Sequence, residues 1–87
     1  MNDYRALKTF LLAAEKRNFA QVARELNMTP AAVTRAIAAL EDDLGVQLFV
    51  RTTRQVSLTT DGAVFAAQIQ PADLALENAR TDVRYAH

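Results

Sequence analysis

No cysteine occurs among the 87 residues, so neither a disulfide nor a thiolate metal site holds this chain together. A chain of this length must then rely on packing, and buries roughly 60–65% of its unfolded surface. The one histidine is the terminal His87, and no glycine-rich phosphate loop or Cys/His cluster is present. The residues an enzyme would need are missing, and no cofactor or metal is expected. Glu41, Asp42 and Asp43 form an acidic run that reads as a solvated helix face rather than a carboxylate pair. Net charge is lacking too: ten Lys and Arg balance ten Asp and Glu. That excludes a polybasic tail that holds nucleic acid by bulk charge, and an acidic disordered region. No apolar run approaches a membrane span. Asp3 and the short apolar stretch Phe10–Ala14 do not make a signal peptide. The absence of cysteine fits a reducing compartment, and the expectation is a soluble, cytoplasmic protein with no membrane partner.

Half of the residues, 51%, are hydrophobic, a globular composition, and the length allows one small domain. Leu7, Phe10, Leu11 and Ala14 recur at helical spacing and predict a first helix from about Asp3 to Lys16. Asn18 with Gln21 three residues later is an N-cap pattern for a short second helix to about Leu26. Asn27 tolerates the left-handed backbone of a tight turn. Thr29-Pro30 starts a third helix, because threonine caps and proline suits the first helical position. Val33, Ile37, Leu40 and Leu44 form its core face, and Gly45 stops it. Two short alternating stretches, Val46–Arg51 and Gln55–Leu58, then predict a small hairpin. Thr59 or Thr60 caps a last helix, with Asp61 in its first turn. Pro71 lies inside that helix and predicts a kink or break near Ile69–Gln70. There are no internal repeats and no low-complexity segments.

Two short helices joined by a tight turn make a helix-turn-helix pattern. Val22, Leu26, Met28, Val33 and Ile37 can point inward, and Ala23 is small where the helices cross. Pro30, Ala31, Thr34, Arg35 and Ala38 are left facing outward from the third helix. That face suits a DNA major groove. The alanines let the backbone approach, Thr34 can reach a phosphate or a base edge, and Arg35 can fork onto guanine. The capped helix start offers amides to phosphate. Arg51, Thr52, Thr53 and Arg54 form a basic hairpin tip that can follow a phosphate backbone or enter a narrow minor groove. The rival reading is a winged-helix module that binds protein.

The fragments NFAQVARELN, TPAAVTRAIAALE and LGVQLFVRTTRQVSLT, with the closing Gly62, resemble the N-terminal DNA-binding domain of LysR-type transcriptional regulators. The resemblance implies a mainly α, winged helix-turn-helix, three helices plus a two-stranded wing, followed by a long linker helix. It places the reading domain over 1–59 and the linker or dimerisation helix over 60–87. It implies that Thr29 contacts phosphate, that Thr34 and Arg35 occupy the reading positions, and that Arg51 and Arg54 are wing arginines. Many members carry glutamine where this chain has Pro30. Base reading then passes to Ala31, Thr34, Arg35 and apolar contacts. The family also continues into an effector-binding domain that this chain lacks, so the chain reads as a fragment whose small-molecule effector acts through a missing part.

Phe65, Ile69, Ala72, Leu76, Ala79 and Val83 step by four and three, an a/d seam. That seam predicts a homodimer on double-stranded DNA, reading an inverted repeat, with Phe65, near the globular part, equally able to pack on the first helix of its own chain. The zero net charge is a cancellation. Residues 16–60 carry six basic against four acidic side chains, and residues 61–87 carry two against four. A mildly basic reading head is joined to an acidic arm.

Overall fold

The computed structural model describes residues 4–52 and 55–86. Four helices and one hairpin follow in the order α1 (Tyr4–Lys16), α2 (Phe19–Glu25), α3 (Pro30–Leu44), β1 (Phe49–Arg51), β2 (Val56–Leu58) and α4 (Thr60–Tyr85). This is the expected winged helix-turn-helix with a long C-terminal helix.

Local signals account for most boundaries. The Asn18 side chain accepts from the Gln21 amide, and the Thr29 hydroxyl accepts from the Ala32 amide at 3.1 Å. Such caps satisfy amides that have no partner inside the helix. Gly45 ends α3 at φ 73°, and Asn27 turns the chain between α2 and α3 at φ 56°. Arg17 also adopts a positive φ of 53°, because only Arg17 and Asn18 separate α1 from α2. The strands are shorter than the alternation suggested and pair antiparallel, Phe49 opposite Leu58 and Arg51 opposite Val56. Thr59, not Thr60, caps α4.

The core gathers Phe10 and Ala13 of α1, Val22 and Ala23 of α2, Val33, Ile37 and Leu40 of α3, and Leu48 and Phe49 at the wing. Ala23 is buried at the α2–α3 crossing, as its size requires. Aromatic rings tie the pieces together. Phe10 lies 5.6 Å from Phe49 and 5.3 Å from Phe65, and Phe19 meets Phe49 edge-on at 5.7 Å. Such pairs add to the area they bury.

The expected break at Pro71 does not occur: α4 runs as one helix of 26 residues. Pro71 and Ala67 are both exposed, so the carbonyl that loses its helical donor can turn to water. The helix is also held on either side of the proline. Phe65 and Ile69 pack on the core, and Asp73 and Glu77 bind α1. Lost helix bonding at one residue is offset by these tertiary ties.

That tie is polar. The Tyr4 hydroxyl donates to Asp73 at 2.8 Å and to Glu77 at 3.2 Å, and the Lys8 ammonium lies 3.2 Å from Asp73. The Tyr4 phenol is raised above its ordinary 10.0 by partial desolvation and by hydrogen bonds to both carboxylates. For Lys8, desolvation pulls downward, but the hydrogen bond and charge of Asp73, with Tyr4 and Glu77, raise it above 10.5. Both groups therefore hold their protons more tightly folded than unfolded. Their contribution is complete below pH 10 and is lost as pH rises through the raised values. Melting curves between pH 9 and 12 should fall, and the fall should be shallower in Tyr4→Phe and Lys8→Met.

Candidate nucleic-acid interface

The core face of α3 fixes which residues are left outside. Val33, Ile37 and Leu40 are buried, so Pro30, Ala31, Thr34, Arg35 and Ala38 lie exposed on the first turns. Thr29 stands at the entry with its hydroxyl already bonded to the Ala32 amide. Among the described residues, no partner holds the Arg35 guanidinium. The face is narrow, small-sided and cationic at one point. Asp42, also exposed, continues the Ala31–Arg35–Ala38 side one turn further on, where its charge would repel a phosphate. The part of this face open to an anionic partner is thereby its N-terminal half.

The wing is built differently from the sequence expectation. Thr52 closes the hairpin tip: its amide donates to the Gln55 carbonyl at 2.8 Å, and its hydroxyl accepts from the Gln55 amide at 3.0 Å. Thr53 and Arg54 lie outside the described residues. Arg51 is turned back on the protein. Its guanidinium sits 5.4 Å over the Phe19 ring, and Nη2 lies 3.8 Å from Glu41.

Glu41 is not the solvated residue that the acidic run suggested. Its side chain is 14% exposed. Oε2 accepts from the Leu48 amide at 2.8 Å and from the Phe49 amide at 3.2 Å. The run divides because only Glu41 faces the turn into the wing, while Asp42 and Asp43 are exposed. A second joint lies at the start of α4. The Thr59 amide donates to the Leu48 carbonyl at 3.0 Å, and its hydroxyl donates to the Gln47 carbonyl at 2.6 Å. Neither joint carries a short-range sequence signal, since both bridge residues seven to twelve apart.

The seam on α4 is split. Phe65 and Ile69 pack against the core of their own chain. Ala72, Leu76, Ala79 and Val83 are exposed, Leu76 at 49% and Val83 at 63%. No helix of the described residues is long and apolar enough to cross a membrane.

Similarity to known proteins agrees with this geometry. The profile described as "Bacterial regulatory helix-turn-helix protein, lysR family" matches residues 4–63. The HTH-type transcriptional activator IlvY of Salmonella typhimurium is 49% identical over 69 residues, covering 76% of this chain and 23% of that protein. TfdS, an HTH-type transcriptional regulator of Cupriavidus pinatubonensis, is 44% identical over 81 residues, covering 93% of this chain and 26% of its own length. The chain thus spans about a quarter of these relatives. Among solved structures, the CbnR_DBD chain in complex with DNA superposes with a TM-score of 0.80 at 34% identity, covering 98% of this chain and 99% of that one. Corynebacterium glutamicum OxyR superposes at 0.91 with 30% identity, covering 100% of this chain and 28% of its own. With its winged helix-turn-helix, its long final helix and a family match over residues 4–63, this chain belongs to the lysR family of bacterial regulatory helix-turn-helix proteins.

Proposed function

We propose that the chain is the sequence-specific DNA-binding part of a transcriptional regulator, with α3 as its recognition helix. One observation carries this reading: a rigidly backed helix start that exposes Thr29, Pro30, Ala31, Thr34 and Arg35 together, with Arg35 open to solvent. The backbone can approach base edges over Ala31 and Ala38. Thr29 and the amides of the first turn position phosphate, Thr34 reaches phosphate or base, and Arg35 forks onto guanine O6 and N7. Pro30 and Ala31 present only carbon, which suits a thymine methyl. The hairpin tip with Arg54 lies on the adjoining backbone or minor groove.

One such helix spans few base pairs. Two copies joined through Ala72, Leu76, Ala79 and Val83 of α4 read an inverted repeat, and operator symmetry mirrors protein symmetry. A domain outside this chain would sense the effector. A protein-binding winged helix is not favoured, because no observation calls for a peptide partner on α3.

Selection of bound duplexes from a randomised pool tests the reading. An inverted repeat should emerge, and failure to enrich any sequence would sink it. On the selected duplex, Arg35→Ala should cost about 1–3 kcal/mol and relax preference at one base pair per half-site. Each cationic phosphate contact should add about −0.9 to the logarithmic salt slope, so Arg54→Ala, which removes two per dimer, should flatten it by about two units.

A further inference from the structure

Four backbone amides in the turn between α3 and the wing converge on one residue. The Glu41 carbonyl accepts from Gly45 at 2.8 Å and from Val46 at 3.2 Å. Its Oε2 accepts from Leu48 and Phe49, and its Oε1 faces Arg51. We propose that Glu41 is the positioning residue that sets the wing against the recognition helix, and that Arg51 acts through Glu41 rather than on DNA. The DNA consequences rest on the function proposed above; the clamp itself does not.

The two carboxylate oxygens have separate tasks. Oε2 fixes the backbone entering β1, where Leu48 is fully buried and Phe49 is 3% exposed. A buried amide without a partner is costly, and a carboxylate is the stronger acceptor for two of them at once. Oε1 meets the cation at the other end of the same short strand. Arg51 is also stacked over Phe19, so β1 is held at its entrance and at its exit. Glu41 sits in the fourth turn of α3, the helix that carries the reading face. A change in wing angle is thereby a change relative to Thr34 and Arg35. If Arg51 moved to a phosphate, it would leave a largely buried carboxylate without its cation and uncover Phe19. The strut is the arrangement that loses least.

Amide hydrogen exchange on the 87-residue chain tests the clamp without DNA. Glu41→Ala should speed exchange at Leu48 and Phe49 by about tenfold or more, the loss of a charge-assisted hydrogen bond. The amides of Ile37 and Leu40 should keep their protection. Glu41→Gln keeps an acceptor oxygen and should restore slow exchange. Should Glu41→Ala not fold, Glu41→Asp, one methylene short, provides the same reading. Unchanged exchange at Leu48 and Phe49 would overturn the proposal.

The DNA arm uses the duplex that the wild-type chain selects from a random pool. Glu41→Ala should lose backbone protection on the wing side and keep the protection given by α3. Arg51→Ala should leave the salt slope within about half a unit. A flattening by about two units per dimer would mean one phosphate contact per subunit, and Arg51 would then be a direct ligand. If no duplex is selected, the DNA reading falls, while exchange at Leu48 and Phe49 still decides the clamp.

Discussion

Gly62→Ala is expected to destabilise the chain by about 3 kcal/mol, against the usual sign of this substitution inside a helix. For a domain of this size that lowers the melting temperature by roughly 12–24 °C. Alanine normally stabilises a helix relative to glycine by roughly 0.5–1 kcal/mol. At Gly62 the space decides otherwise. The residue is buried in the first turn of α4, and an added Cβ would run into the backbone carbonyl of Leu48, with the Leu58 side chain beside it. That carbonyl has no freedom to retreat. It accepts from the Thr59 amide, and the amide of the same residue is held by Glu41. The substitution must therefore lift α4 off the wing or break one of these joints. Calorimetry of Gly62→Ala beside Ala63→Gly separates the two effects. Ala63 is exposed, so its change to glycine should cost only about 0.5–1 kcal/mol. A melting temperature for Gly62→Ala at or above that of the parent would refute the close approach.

The same neighbourhood shows what sequence could and could not convey. Caps and stops act over three or four residues, and Asn18, Asn27, Thr29, Gly45 and Thr59 all do what their side chains or backbones favour. The periodicity of α3 named its buried face and so its open one, which is why Thr34 and Arg35 were legible as an exposed pair. The reversed backbone at Arg17 carried no such mark. It follows from how little chain joins two helices rather than from the residue's own preference. Charge was the least informative guide. Arg51 and Glu41 lie ten positions apart, one in a loop-like basic cluster and one in an acidic run. Only the fold brings them within 3.8 Å. The break read from Pro71 fails for a related reason: its cost is local, whereas the ties of Phe65, Ile69, Asp73 and Glu77 are to other elements. The heptad on α4 was half-legible. Its spacing located one stripe, but spacing alone does not say where the globular core ends along a helix.

Leu76→Asp is expected to convert a dimer to a monomer. The first part of the stripe is satisfied within the chain, by Phe65 against Phe10 and Ile69 against the core. Beyond Arg80, α4 outruns its own domain. Its 26 residues span about 39 Å at 1.5 Å per residue, and the ties to Tyr4 and Lys8 end at Arg80, whose guanidinium lies 5.5 Å over the Tyr4 ring. Ala72, Leu76, Ala79 and Val83 remain exposed on one side, with Leu76 the largest in the middle. A second copy covering that stripe would bury Leu76, and an aspartate there would have to be desolvated without a cation placed for it. Leu74 supplies the control. It is 59% exposed, yet two residues away and so on nearly the opposite side of the helix. Light scattering should show Leu76→Asp at the mass of one chain and Leu74→Asp at the mass of two. On the selected inverted repeat, the monomer forfeits the second half-site, which a tethered partner presents at about millimolar effective concentration. Affinity should fall by roughly 10²-fold or more, and the salt slope should shrink by about half as half the phosphate contacts go. A Leu76→Asp protein that stays dimeric, or a Leu74→Asp protein that dissociates, would move the interface off this stripe.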